Sequence, residues 1–67
     1  MYKATELDIK RATEIVKEVY AKYDKTLSIK HLNTIVIDIM ETSYSIGGDY
    51  SDECIRSIAK SFVLKEL

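Results

Sequence analysis

Apolar residues recur at intervals of three and four along much of the chain, a spacing typical of amphipathic helices with one buried face. In the first such segment they are Leu7, Ile9, Ala12, Ile15, Val16, Val19, Tyr20 and Tyr23. Thr5 stands before them as a candidate N-cap, and Glu6 and Asp8 place negative charge in the first turn, where the helix dipole favours it. The pattern predicts a helix over residues 6–23.

The second apolar segment, residues 29–46, is compatible with two structures. Residues 35–39 are rich in β-branched side chains, which favour a buried strand. Polar residues nevertheless recur at helical spacing, namely Lys30, Thr34, Asp38, Glu41 and Ser45. Because no turn signal separates Ser28 from Gly47, and strands rarely run so long, a helix over residues 29–46 with Ser28 as its cap is favoured.

The third segment follows the only glycines of the chain, Gly47 and Gly48, which predict a left-handed helix stop. Ser51 is the candidate N-cap of a helix over residues 52–65. Its apolar positions are Cys54, Ile55, Ile58, Ala59, Phe62 and Val63. Short connections between three helices predict a single all-α domain, an up-down-up three-helix bundle.

The composition is that of a small soluble domain that needs additional stabilisation. The chain has 67 residues, of which 46% are apolar and 31% charged, with a net charge of −1. A domain of this size buries only about 60% of its unfolded surface, so a disulfide, a metal or a partner chain usually contributes. One cysteine, Cys54, and one histidine, His31, predict neither an internal disulfide nor a zinc site. We expect no cofactor, and a partner chain as the remaining stabiliser.

Candidate catalytic residues are few. Cys54 lies in the first turn of the third predicted helix, where the dipole favours a thiolate, but His31 lies at the far end of the second helix and cannot act as its base. Packing at the edge of the core explains Cys54, and a solvated surface explains His31. Asp38 falls within the solvated stripe of the second helix. We therefore expect a protein that is not an enzyme.

Self-association is predicted from the width of the second apolar face. Its apolar arc covers about 200° at 100° per residue, whereas a core-facing surface helix needs little more than about 100°. Ile37 and Tyr44 form one flank of this arc, and Ile35 and Ile46 form the other. Because a monomer has difficulty covering both flanks, we expect a homodimer that pairs through the second helix.

The first functional hypothesis is a small protein-binding regulator or adaptor. Tyrosine is the dominant large side chain, with five copies, and it is enriched at binding hot spots. The bundle would bring Tyr2, Tyr44 and Tyr50 together at one end as the partner-binding group. The chain lacks a hydrophobic signal segment and an apolar run of about 20 residues, so we expect a cytoplasmic protein that does not enter a membrane.

The alternative hypothesis is a dimeric DNA-binding regulator. Two helices, a glycine-containing turn and a third helix loosely match a helix-turn-helix layout, and Arg56, Ser57 and Lys60 would face outward from the third helix. The near-neutral net charge and the acidic residues Asp52 and Glu53 at the helix start oppose nucleic-acid binding. Glu53 can also pair with Arg56 one turn later. A small ligand held between subunits is a third hypothesis, which the sequence leaves open.

Overall fold

The helices begin and end within one residue of the predicted bounds. The computed structural model describes residues 4–47 and 49–66, and the helices there are α1 (Glu6–Lys22), α2 (Ile29–Ser45) and α3 (Asp52–Lys65). All three pack against one another. Residues 35–39 are helical, so the strand alternative is wrong. The all-α three-helix architecture is confirmed.

Each helix starts at the predicted side-chain cap. The Thr5 hydroxyl accepts a hydrogen bond from the Asp8 amide at 3.2 Å, and the Asp8 carboxylate accepts one from the Thr5 amide at 3.1 Å, which forms a capping box. Ser28 accepts from the His31 amide, and Ser51 accepts from the Cys54 amide, both at 3.3 Å. Each cap satisfies an amide that has no partner inside its helix.

The connection from α2 to α3 depends on left-handed backbone and one buried hydroxyl. Gly47 has a φ of +84°, which confirms the predicted left-handed stop at this residue, whereas Gly48 lies outside the described residues. Asp49 is also left-handed, with a φ of 51°. The Ser43 hydroxyl, fully buried on α2, donates a hydrogen bond to the Asp49 carbonyl. This contact fixes the turn against the core.

The core lies between all three helices and is formed by most of the predicted apolar positions. Its buried members are Ala12, Ile15, Val16, Val19, Tyr20, Val36, Ile39, Met40, Ile55, Ile58, Ala59 and Val63. Three apolar residues expected to pack inward, Leu7, Ile9 and Ile29, are exposed instead, with Ile29 78% accessible. All three lie in the first turns of α1 or α2, so the apolar faces extend past the ends of the core.

Cross-helix contacts fix the relative direction of α1 and α3. Arg11 pairs with Asp52 at 3.3 Å, and Glu18 pairs with Arg56 at 3.2 Å. The Tyr20 hydroxyl donates a 2.6 Å hydrogen bond to the Glu66 carboxylate. The partners advance together along the two helices, so α1 and α3 run parallel and the bundle is up-down-up. In the described residues, no helix has both the length and the hydropathy that crossing a bilayer requires.

Candidate functional site

Ile9 of α1 and Ile37 and Tyr44 of α2 are exposed large hydrophobic side chains, and we call these three residues the α1/α2 apolar surface. Their exposed fractions are 37%, 42% and 37%, respectively. Ile37 and Tyr44 are seven residues apart, so they lie two turns apart on the same face of α2. Ile9 is near the start of α1 and Tyr44 near the end of α2, and the antiparallel arrangement brings these ends together. The surface therefore spans two helices.

Helix orientation places these residues on the sides of α1 and α2 that face each other. Arg11, which pairs with α3, is about 160° around α1 from Ile9. On α2, Thr42 and Ile46 line a surface depression together with Phe62 of α3. Ile37 is about 180° around α2 from Ile46 and therefore lies on the side away from α3. Ile9 on α1 and Ile37 and Tyr44 on α2 thus lie on the α1/α2 side of the bundle, away from α3.

Tyr44 is held by a second aromatic ring. The Tyr44 and Tyr50 rings stack with centroids 5.7 Å apart and an interplanar angle of 19°. Tyr50 is half-buried and packs against the core, and it follows the turn that the Ser43–Asp49 hydrogen bond anchors. A stacked pair of this kind restricts the rotamers of Tyr44, so less side-chain entropy is lost when a partner binds. Of the predicted partner-binding tyrosines, Tyr44 and Tyr50 lie together, and Tyr2 is outside the described residues.

The other predicted interface flank borders α3. Ile35 is half-buried and packs against the core, whereas Ile46, the C-cap of α2, is exposed. The two predicted flanks of α2 therefore differ: the Ile37 and Tyr44 flank lies beside α1 and keeps both residues accessible, and the Ile35 and Ile46 flank is partly covered.

The residues of the DNA-binding alternative lie on α3 in different surroundings. Ser57 and Lys60 are exposed, and Arg56 is half-buried. Arg56 pairs with Glu18 of α1 rather than with Glu53, its expected partner on the same helix. Asp52, at the helix start, pairs with Arg11. Arg56 and Lys60, but not Ser57, line a cleft that also contains Lys22 and Tyr23 of α1.

Cys54, His31 and Asp38 occupy the surroundings that were predicted for them. Cys54 is a free thiol, half-buried at the edge of the core. His31 is exposed, and its Nδ1 lies 3.1 Å from the hydroxyl of the capping Ser28. Asp38 is exposed within the polar stripe of α2. Within residues 4–47 and 49–66, no group of three or more His, Cys, Asp and Glu side chains is arranged to hold a metal ion.

Among the described residues, the Tyr20 hydroxyl has a strongly perturbed pKa. Burial raises the pKa of Tyr20 well above its ordinary value, and the hydrogen bond to Glu66 and the negative charge of that carboxylate act in the same direction. The group therefore keeps its proton and acts as a structural hydrogen-bond donor between α1 and the end of α3.

Sequence reasoning missed three residues that contribute to these surfaces. Ile9 was assigned to the core because it continues the apolar stripe of α1, and only its place at the end of the bundle leaves it accessible. Lys22 and Tyr23 share a cleft with residues more than 30 positions away. The helical period of α1 carries no signal for this, because the partner helix and its rotation decide which residues meet.

Comparison with known proteins finds no family model that matches the chain, no curated protein significantly similar to it, and no solved structure significantly similar to it.

Proposed function

We propose that this chain is a small, non-enzymatic protein-binding regulator that acts as a homodimer and uses the α1/α2 apolar surface as its contact. One observation carries the proposal. This small domain has a small hydrophobic core, yet it leaves apolar side chains exposed across two helices at Ile9, Ile37 and Tyr44. The tyrosine stack beside it supplies a restrained aromatic side chain of the kind found at binding hot spots.

The partner we propose for this surface is a second copy of the chain. A twofold pairing is self-complementary, so the same three residues on each copy cover one another and no exposed end remains. Such a pairing would stabilise a domain whose own core contributes only about 3–5 kcal/mol. Ile37 and Tyr44 each come directly after a buried residue of α2, so the proposed interface would adjoin the hydrophobic core.

The size of the surface sets the expected affinity. Covering its three side chains removes on the order of 200 Å² of apolar area per chain, or about 5 kcal/mol at 25 cal/mol per Å². Two chains together gain about 10 kcal/mol, from which association subtracts at least about 4 kcal/mol. The remaining 6 kcal/mol or so corresponds to a dissociation constant of tens of micromolar at best. We therefore propose a weak, exchangeable dimer, as suits a surface that also serves other proteins.

The proposal also places the chain in the cytoplasm. Its single cysteine, Cys54, has no disulfide partner within the chain, and a reduced thiol is the ordinary state in that compartment.

The decisive experiment measures the solution mass of the parent and of Ile37→Lys by sedimentation equilibrium. We expect the parent to dimerise at concentrations well above the expected dissociation constant. Ile37→Lys should be monomeric with unchanged helicity, because a lysine charge cannot be buried in the dimer interface. Leu64→Lys is the matched control, since Leu64 is 48% exposed on α3, outside the surface. It should keep the parental mass.

Two results would refute the dimer. One is a parent that stays monomeric throughout the concentration series, and the other is an equal loss of mass in Ile37→Lys and Leu64→Lys. The role in binding other proteins is tested separately, by pull-down from lysate with the same variants. A protein that still binds after nuclease treatment should be retained by the parent and by Leu64→Lys and lost by Ile37→Lys. Equal retention by all three would place that contact elsewhere.

A further inference from the structure

A second feature, on the opposite side of α1, is a basic cleft between the C-terminal half of α1 and the middle of α3. It has a volume of about 240 Å³, and its lining is Val19, Lys22, Tyr23, Arg56 and Lys60. Val19 is buried and forms part of the core, and Tyr23 is half-buried against it. The cleft therefore has an apolar floor, an aromatic side chain and three cationic side chains.

The positive charge of this basic cleft is only partly balanced by carboxylates of the described residues. None of those carboxylates belongs to its lining. Among the described residues, the one ion pair there joins Nη1 of Arg56 to Glu18 at 3.2 Å. Lys22 and Lys60 make no ion pair with any carboxylate in residues 4–47 and 49–66. Two uncompensated cations beside an ion-paired arginine, in a chain of net charge −1, concentrate positive potential at one place.

Arg56 is prepared for recognition of an anion. Its contact with Glu18 uses Nη1 and holds the guanidinium at the edge of the cleft. A guanidinium has five N–H donors in a planar fork that matches the oxygens of a phosphate, and most of these donors are not used by a single contact with Glu18. Lysine ammonium groups bind phosphate as point charges without a fixed geometry. The arrangement suits a compact anion with several oxygens.

We propose that the basic cleft binds a small phosphate monoester, with the phosphate between Lys22, Arg56 and Lys60 and the organic group beside Tyr23. A dianionic phosphate balances the two lysines, and an aromatic side chain offers a stacking face to a planar organic group. The site belongs to α1 and α3 and is independent of the proposed dimer surface.

The rest of the groove between α1 and α3 disfavours a long polyanion. Beside the basic cleft lies an acidic depression of about 160 Å³, lined by Arg11, Glu14, Ile15, Glu18 and Asp52. Three of these residues are carboxylates: Asp52 pairs with Arg11, Glu18 pairs with Arg56 at the border of the basic cleft, and Glu14 has no ion pair with another described residue. A nucleic-acid strand that followed the groove would bring its phosphates against Glu14 and Glu18, so a ligand no larger than the cleft is favoured.

The test is a titration of ¹⁵N-labelled protein, followed by amide chemical shifts, with inorganic phosphate, adenosine monophosphate and unphosphorylated adenosine at constant ionic strength. We expect saturable shifts confined to residues 19–23 and 56–60 with phosphate and with the nucleotide, and none with adenosine. Tighter binding of the nucleotide than of phosphate would assign the organic group to the Tyr23 side. Equal affinity would identify free phosphate as the ligand, and both results support the site.

Two variants and a control make the test specific to the site. Lys22→Gln and Lys60→Gln each remove one exposed charge and leave the Arg56–Glu18 pair intact, so both should fold. Each should weaken phosphate binding about threefold to tenfold, the range for one charge-assisted contact near a surface. Lys10→Gln removes the same charge from an exposed position of α1 outside the cleft and should leave binding unchanged.

Three results would overturn the proposal. The first is a linear response that chloride reproduces at the same ionic strength, which would mean a general salt effect. The second is equal weakening by Lys10→Gln and Lys60→Gln. The third is a DNA duplex that binds more tightly than the nucleotide, with shifts that spread beyond residues 19–23 and 56–60 and a steep dependence on salt, which would assign the cleft to nucleic acid.

Discussion

Tyr20→Phe removes one oxygen atom from the edge of the core and keeps the aromatic ring. Tyr20 is fully buried in the hydrophobic core, and its hydroxyl donates a 2.6 Å hydrogen bond to the carboxylate of Glu66, just after α3. The Lys25 ammonium donates to the Glu66 carbonyl at 3.2 Å, and the Lys25 amide donates to the Tyr20 carbonyl. The substitution therefore tests a polar link between the end of α1 and the end of α3 without opening a cavity.

The magnitude follows from the nature of this bond. Hydrogen bonds to charged groups contribute about 1.5–3 kcal/mol to the free energy of unfolding. Glu66 is exposed, so its carboxylate regains water when the hydroxyl is lost, and we expect the lower end, about 1.5 kcal/mol. For a domain of this size each kcal/mol lowers the melting temperature by about 4–8 °C, so the expected decrease is about 6–12 °C.

The same contact predicts a dependence of stability on alkaline pH. The pKa of Tyr20 is raised in the folded state, by burial first and by Glu66 second, so the unfolded chain loses this proton at lower pH than the folded chain. The stabilisation is complete below the ordinary tyrosine pKa of about 10 and decreases by about 1.4 kcal/mol per pH unit above it. Tyr20→Phe should lack this part of the decrease.

Thermal unfolding followed by circular dichroism at neutral pH and at several alkaline pH values measures both effects. Tyr23→Phe is the matched control: Tyr23 is half-buried on the same helix end, and its hydroxyl makes no hydrogen bond to the described part of the chain. Its stability should be that of the parent. Two results together would show that the Tyr20–Glu66 link does not stabilise the fold. Tyr20→Phe would have the melting temperature of the parent at neutral pH, and its melting temperature would decrease as steeply as that of the parent above pH 10.

Two further substitutions test the helix ends. Gly47→Ala should lower the free energy of unfolding by about 1 kcal/mol, because the φ of +84° is unfavourable for an L-residue, although no atom would obstruct the added Cβ. Chemically synthesised protein with D-alanine at this position should lose no stability, and a loss equal to that of Gly47→Ala would argue against backbone strain as the cause. Ser51→Ala should cost about 1 kcal/mol in chemical denaturation through loss of the α3 cap. Ser57→Ala, on an exposed face of the same helix, should be neutral or slightly stabilising, so equal costs for both would contradict the capping argument.

Local features of this fold were predictable because their causes lie within a few residues. Thr5, Ser28 and Ser51 each bond to the amide three positions later, and Gly47 adopts the left-handed conformation that its lack of a side chain allows. The exclusion of a strand over residues 35–39 likewise depended only on the absence of a break in a long periodic segment. Short-range physical chemistry therefore accounts for the helices and their order.

Features that depend on how the helices are rotated against one another were not predictable. Arg56 has an acidic residue one turn away on its own helix, yet it pairs with Glu18, 38 positions away. Ser43 follows Ile39 by four residues and Met40 by three, so it lies in the centre of the apolar face of α2. This spacing could have identified it as a buried polar position. Its partner, the Asp49 carbonyl, follows only from the path of the turn. The basic cleft has the same origin, since its two halves are far apart in the sequence.

The two proposed surfaces use different sides of the same helix, and this determines how they can be combined. On α1, Ile9 lies beside α2 and Lys22 lines the cleft against α3, about 140° apart around the helix axis. A dimer formed through Ile9, Ile37 and Tyr44 therefore leaves the basic cleft open on each copy, and a phosphate in the cleft does not cover the dimer surface. Because Ile37 is not part of the cleft and Lys60 is not part of the dimer surface, failure of either proposal leaves the other intact. Coupling between them would require movement of α1 itself, which the Arg11–Asp52 and Glu18–Arg56 ion pairs and the Tyr20–Glu66 hydrogen bond hold to α3 along its length.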